Sequence, residues 1–137
     1  GVDSSVAAAL LVEAGHEVLL ETGGGLDVSD VDPRVRRILD VKCPASGEAE
    51  NNRWDNFAVL TPRDEIKFVI ADRRDYEWAR EVLAEHGLAG LCPVGLAPAD
   101  GLLDAAELAG WILADRLPVR LNLQLHKVLW GSEARGV

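Results

Sequence analysis

The chain has 137 residues, 14 of them Lys or Arg against 23 Asp or Glu, and its net charge of -9 and pI near 4.7 exclude a nucleic-acid partner held by a basic surface. At 48% hydrophobic and 27% charged it is too apolar for a disordered segment, and its length suits a single domain, 1–137, burying roughly two-thirds of its unfolded surface. No apolar run reaches the ~20 residues of a membrane span, no basic signal region opens the chain, and Cys43 and Cys92 form no CxxC pair, so a cytoplasmic protein with two buried, reduced thiols and no membrane contact is expected.

In chain order, the Ala-rich run Val6–Ala14 reads as a helix that Asp3 or Ser4 can cap and that Gly15 can end in the left-handed conformation. Glu17–Thr22 (E-V-L-L-E-T) reads as a strand, followed by Gly23, Gly24 and Gly25. Three glycines there either let a backbone approach a ligand closely or form a plain flexible turn. Asp32-Pro33 marks a turn, and Ile38–Lys42 is the next strand, with a lead-in from Val35. Pro44–Asn52 is polar and loop-like, and Arg53–Leu60 has the spacing of a short amphipathic helix. Glu65–Ala71 (E-I-K-F-V-I-A) is the most strand-like stretch.

A helix over Asp75–His86 follows, with Tyr76, Trp78, Ala79, Val82 and Leu83 on one stripe and Gly87 as its stop. Cys92–Ala97 is a strand, Pro98–Gly101 a turn, and Asp104 begins a helix to about Asp115 with Leu108, Trp111 and Ile112 inward. Val119–Leu125 is the fifth strand, before the tail from His126. Strands and helices thus alternate, with about five strands. The expected class is α/β, with parallel β/α units joined by right-handed crossovers. Too few for a complete eight-stranded barrel, they make a small open sheet or part of an incomplete TIM-like barrel.

Chemistry in such folds sits at the carboxyl ends of the strands. The stretch Arg36–Gly47 carries Asp40 and Lys42 two apart, on one face of a strand, with Cys43 beside them and a Pro/Ser/Gly loop after them. An ordinary solvated ion pair and a site element are both consistent with that spacing. Trp54, Trp78 and Trp111 have core spacing, whereas His16 and His86 flank helix ends on the surface. Gln124, His126 and Lys127 end the last strand near the same edge, and His126 is the candidate for hydrogen bonding to a ring.

The segments L-D-V-K-C-P-A-S-G-E, N-R-W-D-N, D-E-I-K-F-V-I-A-D-R-R-D-Y-E-W-A and L-P-V-R-L-N-L-Q-L-H-K-V-L-W-G are more specific. Together, from about Ala14 to Val137, they resemble the 7-carboxy-7-deazaguanine synthases, radical S-adenosylmethionine lyases of queuosine and deazapurine biosynthesis. The resemblance implies an incomplete β/α barrel of which this chain is the C-terminal half. It also implies conversion of 6-carboxy-5,6,7,8-tetrahydropterin to 7-carboxy-7-deazaguanine with S-adenosylmethionine, a [4Fe–4S] cluster and Mg²⁺. By the same resemblance Gly24, Asp40, Val41 and Lys42 contact S-adenosylmethionine. Thr22 and the terminal Val137 contact substrate by that resemblance, and His126 is added to them on its position at the end of the last strand.

Two departures stand out. The glycine loop reads T-G-G-G where the family has T-N-G-T, and the three cysteines of a cluster motif are missing, since two isolated cysteines cannot hold one. No catalytic residue and no metal ligand is therefore assigned within this chain. It reads as a truncated or fused product, inactive alone, and expected to pair with a second copy or with a complementing N-terminal half. The origin of residues 1–16 is left open in this reading. G-V-D-S-S before A-A-A-L-L resembles part of the PP-loop of ATP pyrophosphatases, and equally reads as a helix cap. The alternatives are thus a non-catalytic α/β binding or interaction module and a PP-loop fragment.

Overall fold

A computed structural model of the chain describes residues 4–123, and His126, Val137, Gln124, Lys127 and Gly1–Asp3 lie outside the described residues. Helix α1 (Ser4–Glu13) leads through Gly15, in the left-handed region at φ 91°, to strand β1 (Leu19–Gly23). Strands β2 (Arg36–Val41) and β3 (Glu65–Ile70) come next, then helix α2 (Arg73–Glu85), β4 (Val94–Pro98), helix α3 (Ala105–Asp115) and β5 (Arg120–Leu121). The five strands form one sheet in the order β1-β2-β3-β4-β5, and every pair is parallel. The sequential parallel order is the one that short β/α connections dictate, and the sheet does not close into a barrel.

Sequential order with right-handed crossovers sends every helix to the same side. Burial along the strands follows from that. Leu39 and Val41 of β2, Ile66, Phe68 and Ile70 of β3, and Val94 and Leu96 of β4 are buried beneath the helices. Phe68 meets Trp78 of α2 edge-on, with ring centroids 6.4 Å apart. The alternate residues Ile38, Asp40, Glu65, Lys67, Val69 and Ala97 lie on the other face, which stays partly exposed. A parallel sheet is ordinarily covered on both faces. This one has a covered face and an open face.

Several boundaries differ from the sequence reading. Arg53–Leu60 forms no α-helix: Trp54–Val59 is a 3-10 helix, because Arg53 is extended and Asn56 turns inward to bond loop backbone. Helix α2 begins earlier than Asp75, since the Asp72 carboxylate accepts the Asp75 N–H at 2.8 Å and caps the first turn. Asp104 occupies the cap position of α3 with extended backbone, yet its side chain makes no capping bond. Among the described residues β5 covers only Arg120–Leu121 of the expected Val119–Leu125. Trp78 and Trp111 pack against the core as expected, while Trp54 is 38% exposed and stacks on the exposed His86 at 5.1 Å.

One buried ion pair anchors the lower half of β2. Arg37 and Asp64 are 2% and 1% exposed, and Arg37 Nη2 donates to Asp64 Oδ2 at 2.8 Å and to the Val59 carbonyl at 2.7 Å. Asp64 also accepts the backbone N–H groups of Arg37 and Thr61, each at 2.8 Å. Burial alone would raise this carboxyl, but the hydrogen bonds and the guanidinium outweigh it and hold Asp64 below the ordinary carboxylate value.

Candidate functional site

The carboxyl edge of β1 and β2 is held together by backbone and two asparagines. Gly24 follows β1, and its N–H donates to the Asp40 carbonyl at 2.7 Å. Its own carbonyl accepts the Arg53 N–H at 2.7 Å. A Cβ on Gly24 would lie 2.8 Å from Asn52 Oδ1, 3.0 Å from the Asp40 carbonyl oxygen and 3.4 Å from Val41 Cα. Only glycine lets three stretches of chain meet there. The glycine loop is therefore neither a loose turn nor an open ligand cradle at Gly24, whose polar atoms are bonded within the protein.

Asn52 is the hub of this junction. Its Oδ1 accepts the Lys42 N–H at 2.9 Å, and its Nδ2 donates to the Lys42 carbonyl at 2.8 Å and the Ala49 carbonyl at 2.9 Å. The carboxamide satisfies both backbone groups of Lys42 just where β2 ends and no strand partner remains. Asn56, 2% exposed, does the same for the glycine loop: it donates to the Leu26 carbonyl at 2.6 Å and accepts the Val28 N–H at 3.1 Å. Sequence reasoning passed over both, since a carboxamide in a polar loop leaves no periodic trace. Their i, i+4 spacing within N-R-W-D-N was the one signal available.

Lys42 and Asp40 do meet on one face, with Nζ 2.7 Å from Oδ2 and side chains 39% and 25% exposed. Such a pair contributes at most about 1 kcal/mol to stability. The other carboxylate oxygen, Oδ1, is buried and has no hydrogen-bond partner among the described residues. An unpaired acceptor is costly to bury, which sets Asp40 apart from the other polar groups of this edge. Behind the pair, the buried Asp75 accepts the Ala45 N–H at 2.9 Å and the Ala71 N–H at 3.0 Å, tying the loop after β2 to the end of β3.

The expected residues divide by position. Gly24, Asp40, Val41 and Lys42 come together at one end of the sheet. Val41 is buried on the covered face, leaving its backbone as the part nearest the site. Thr22 lies at the same edge, in register with Leu39 of the covered face. His126 and Val137 lie outside the described residues. Cys43 and Cys92 are free, buried thiols near opposite ends of the sheet. Burial, then the charges of Asp75, Asp40 and Asp72, pushes the Cys43 thiol far up. Burial, then Asp64 and Glu65, pushes Cys92 up to about 11. Neither is a thiolate ligand at neutral pH. Among the described residues no three His, Cys, Asp or Glu side chains gather to hold a metal ion, and no helix is long and apolar enough to cross a membrane.

Two concavities, of about 550 and 500 Å³, lie elsewhere. One runs between α1 and the Ser29–Arg34 loop, and the other beneath β4 and β5 at Pro62, Leu91–Val94 and Pro118–Arg120. Both are shallow and sit by the amino ends of strands, and neither meets the unpaired acceptor or the ion pair.

These features define an α/β protein with a one-sided parallel sheet and a polar site at the carboxyl edge. No family model matches the chain. It is, however, similar to curated 7-carboxy-7-deazaguanine synthases, the proteins its four segments resemble. It is 50% identical to that of Chlorobaculum tepidum over 123 residues, 88% of this chain and 56% of the relative. It is 46% identical to that of Koribacter versatilis over 140 residues, 93% of this chain and 62% of the relative. The Methanospirillum hungatei protein of the same name is 34% identical across 87% of this chain and 49% of its own length. The chain therefore spans little more than half the length of the relatives it matches.

Proposed function

We propose that this chain supplies the C-terminal part of a 7-carboxy-7-deazaguanine synthase, a lyase that converts 6-carboxy-5,6,7,8-tetrahydropterin to 7-carboxy-7-deazaguanine by radical ring contraction. The observation that carries the reading is 50% identity over 88% of the chain to a protein of that name. The carboxyl-edge geometry supports it. Asp40 Oδ1 is a buried acceptor awaiting a donor, and the Lys42 ammonium has N–H groups left over from its bond to Asp40. Such a donor and acceptor suit the carboxylate and hydroxyls of S-adenosylmethionine. Asn52 and Asn56 fix the backbone that presents them.

The residues present do not fit a [4Fe–4S] cluster, because the two thiols are buried, protonated and near opposite ends of the sheet, nor Mg²⁺, because among the described residues no cluster of carboxylates gathers to hold it. No step through either group is assigned to this chain. Its part is to bind and orient, alongside a cluster-bearing segment or a second copy, in the cytoplasm. The test is anaerobic reconstitution of the purified chain with iron and sulfide, then dithionite, S-adenosylmethionine, Mg²⁺ and carboxytetrahydropterin. The chain alone should form neither 5′-deoxyadenosine nor carboxydeazaguanine. Adding the unmatched remainder of the Chlorobaculum tepidum relative should bring product. Turnover by the chain alone, or silence from a folded complementing pair, would overturn the proposal.

A further inference from the structure

The parallel register lays one row of residues straight across the open face: Gly23 beside Asp40, Asp40 beside Lys67, Lys67 beside Gly95, and Gly95 beside Arg120. Lys67 is the third of six residues in the middle strand, flanked by Ile66 and Phe68, both fully buried on the covered face. Its own side chain is half-buried and reaches the surface of the open face. Lys67 makes no hydrogen bond or ion pair among the described residues, unlike Lys42, whose charge Asp40 neutralises at 2.7 Å. On either side the row is thin. A Cβ on Gly23 would meet nothing within 4 Å, whereas one on Gly95 would run into the Asn122 carboxamide.

We propose that Lys67 is the anion anchor of the open face and takes the carboxylate of a small-molecule ligand seated over the row; the inference rests on the functional reading above. Charge selects the ligand class. Within one layer of Lys67 the charged groups sharing this face are Glu21 and Glu65 below, Asp40 and Arg120 in its own row, and Lys42 above, with Arg36 a further layer down. With Lys42 and Asp40 cancelling, one ammonium stands over two carboxylates. Arg120 is two strands away, about 10 Å. A single ammonium suits a monoanionic carboxylate. A phosphate, carrying more charge, would need a second cation or a cluster of backbone N–H groups, and neither is near. The Gly23 gap leaves room beside Asp40 for the body of the ligand.

The test is an NMR titration of the full chain with pterin-6-carboxylate and, separately, with the neutral pterin-6-carboxamide, in parent, Lys67→Met and Lys67→Arg. The parent should bind the carboxylate about ten-fold more tightly than the amide, with shifts at the amides of Asp40, Lys67 and Gly95. Lys67→Met should erase that preference while leaving amide binding unchanged, and Lys67→Arg should keep most of it. Spectral dispersion shows whether each variant is folded, and Lys67→Arg carries the comparison should Lys67→Met unfold. A parent that binds both probes at this row without preference, or a preference that survives in Lys67→Met, overturns the role of Lys67 and leaves the site reading standing. Neither probe shifting the row overturns both.

Discussion

A methyl group at Gly24 should cost far more than one at its neighbour Gly23, and the structure gives both the size and the reason. In Gly24→Ala the new Cβ would sit 2.8 Å from Asn52 Oδ1 and 3.0 Å from the Asp40 carbonyl oxygen. Either Asn52 withdraws and gives up the Lys42 N–H at 2.9 Å, or the loop lifts and stretches the Gly24–Asp40 bond of 2.7 Å. Each route leaves a largely buried backbone group without its partner, a loss of about 2 kcal/mol. For a chain of 137 residues that corresponds to a fall in Tm of about 7 °C. Gly23→Ala meets nothing within 4 Å and removes unfolded-state freedom, so its Tm should hold or rise by a degree or two. Thermal melts of the two variants beside the parent decide the matter. Equal losses in both, or a Gly24→Ala melt within about 2 °C of the parent, would refute the idea that glycine is needed there for close approach.

Four further outcomes follow from other contacts. Asn52→Asp keeps the acceptor for the Lys42 N–H but loses both donated bonds, and should cost about 1–3 kcal/mol in urea unfolding; an unchanged midpoint would contradict it. Asp64→Asn strands the Arg37 guanidinium and should cost about 3–5 kcal/mol, whereas an apolar pair at both positions should restore most of it. Because the folded pKa of Asp64 lies below its unfolded value near 3.9, its stabilisation is full above that value and is lost as pH falls through the folded pKa; melts from pH 6 to pH 2 should show a steeper decline in the parent than in Asp64→Asn. Native Cys43 and Cys92 should stay unmodified by a thiol reagent at pH 8 and both react in urea, with fast native labelling as the contrary result.

The order and direction of the strands were legible because they follow from local patterns: alternation of β and α segments, connections too short to skip a neighbour, and glycine stops at Gly15 and Gly87. The Asp40–Lys42 pair was legible for the same reason, its two-residue spacing putting both side chains on one face. What stayed hidden depends on partners distant in sequence. Arg37 looks like the start of an exposed strand until Asp64 is found opposite it, 27 residues on. At Gly24 the glycine was legible but its close neighbour Asn52 was not, since only its spacing from Asn56 marks it in the sequence. Lys67 was seen only as part of a strand, since its isolation is a property of the neighbouring strands' registers.

The one-sided sheet also bears on why so polar a face lies in a parallel sheet at all. In a doubly wound protein each strand is buried on both faces and reads as a continuous apolar run. Here β2 alternates Arg36, Ile38, Asp40 with Arg37, Leu39, Val41, and β3 alternates Glu65, Lys67, Val69 with Ile66, Phe68, Ile70. Sequential order commits the crossover helices to the apolar side, so among the described residues no helix between these strands covers the polar one. Were that face meant for ordinary packing, Lys67, Glu65 and Asp40 would each be buried without adequate partners, at several kcal/mol apiece. Left partly exposed, the same residues carry little of that penalty. The polar alternation thus belongs to a sheet with one face packed as core and the other partly exposed, and the proposed ligand would sit on that second face, beside the unsatisfied Asp40 Oδ1.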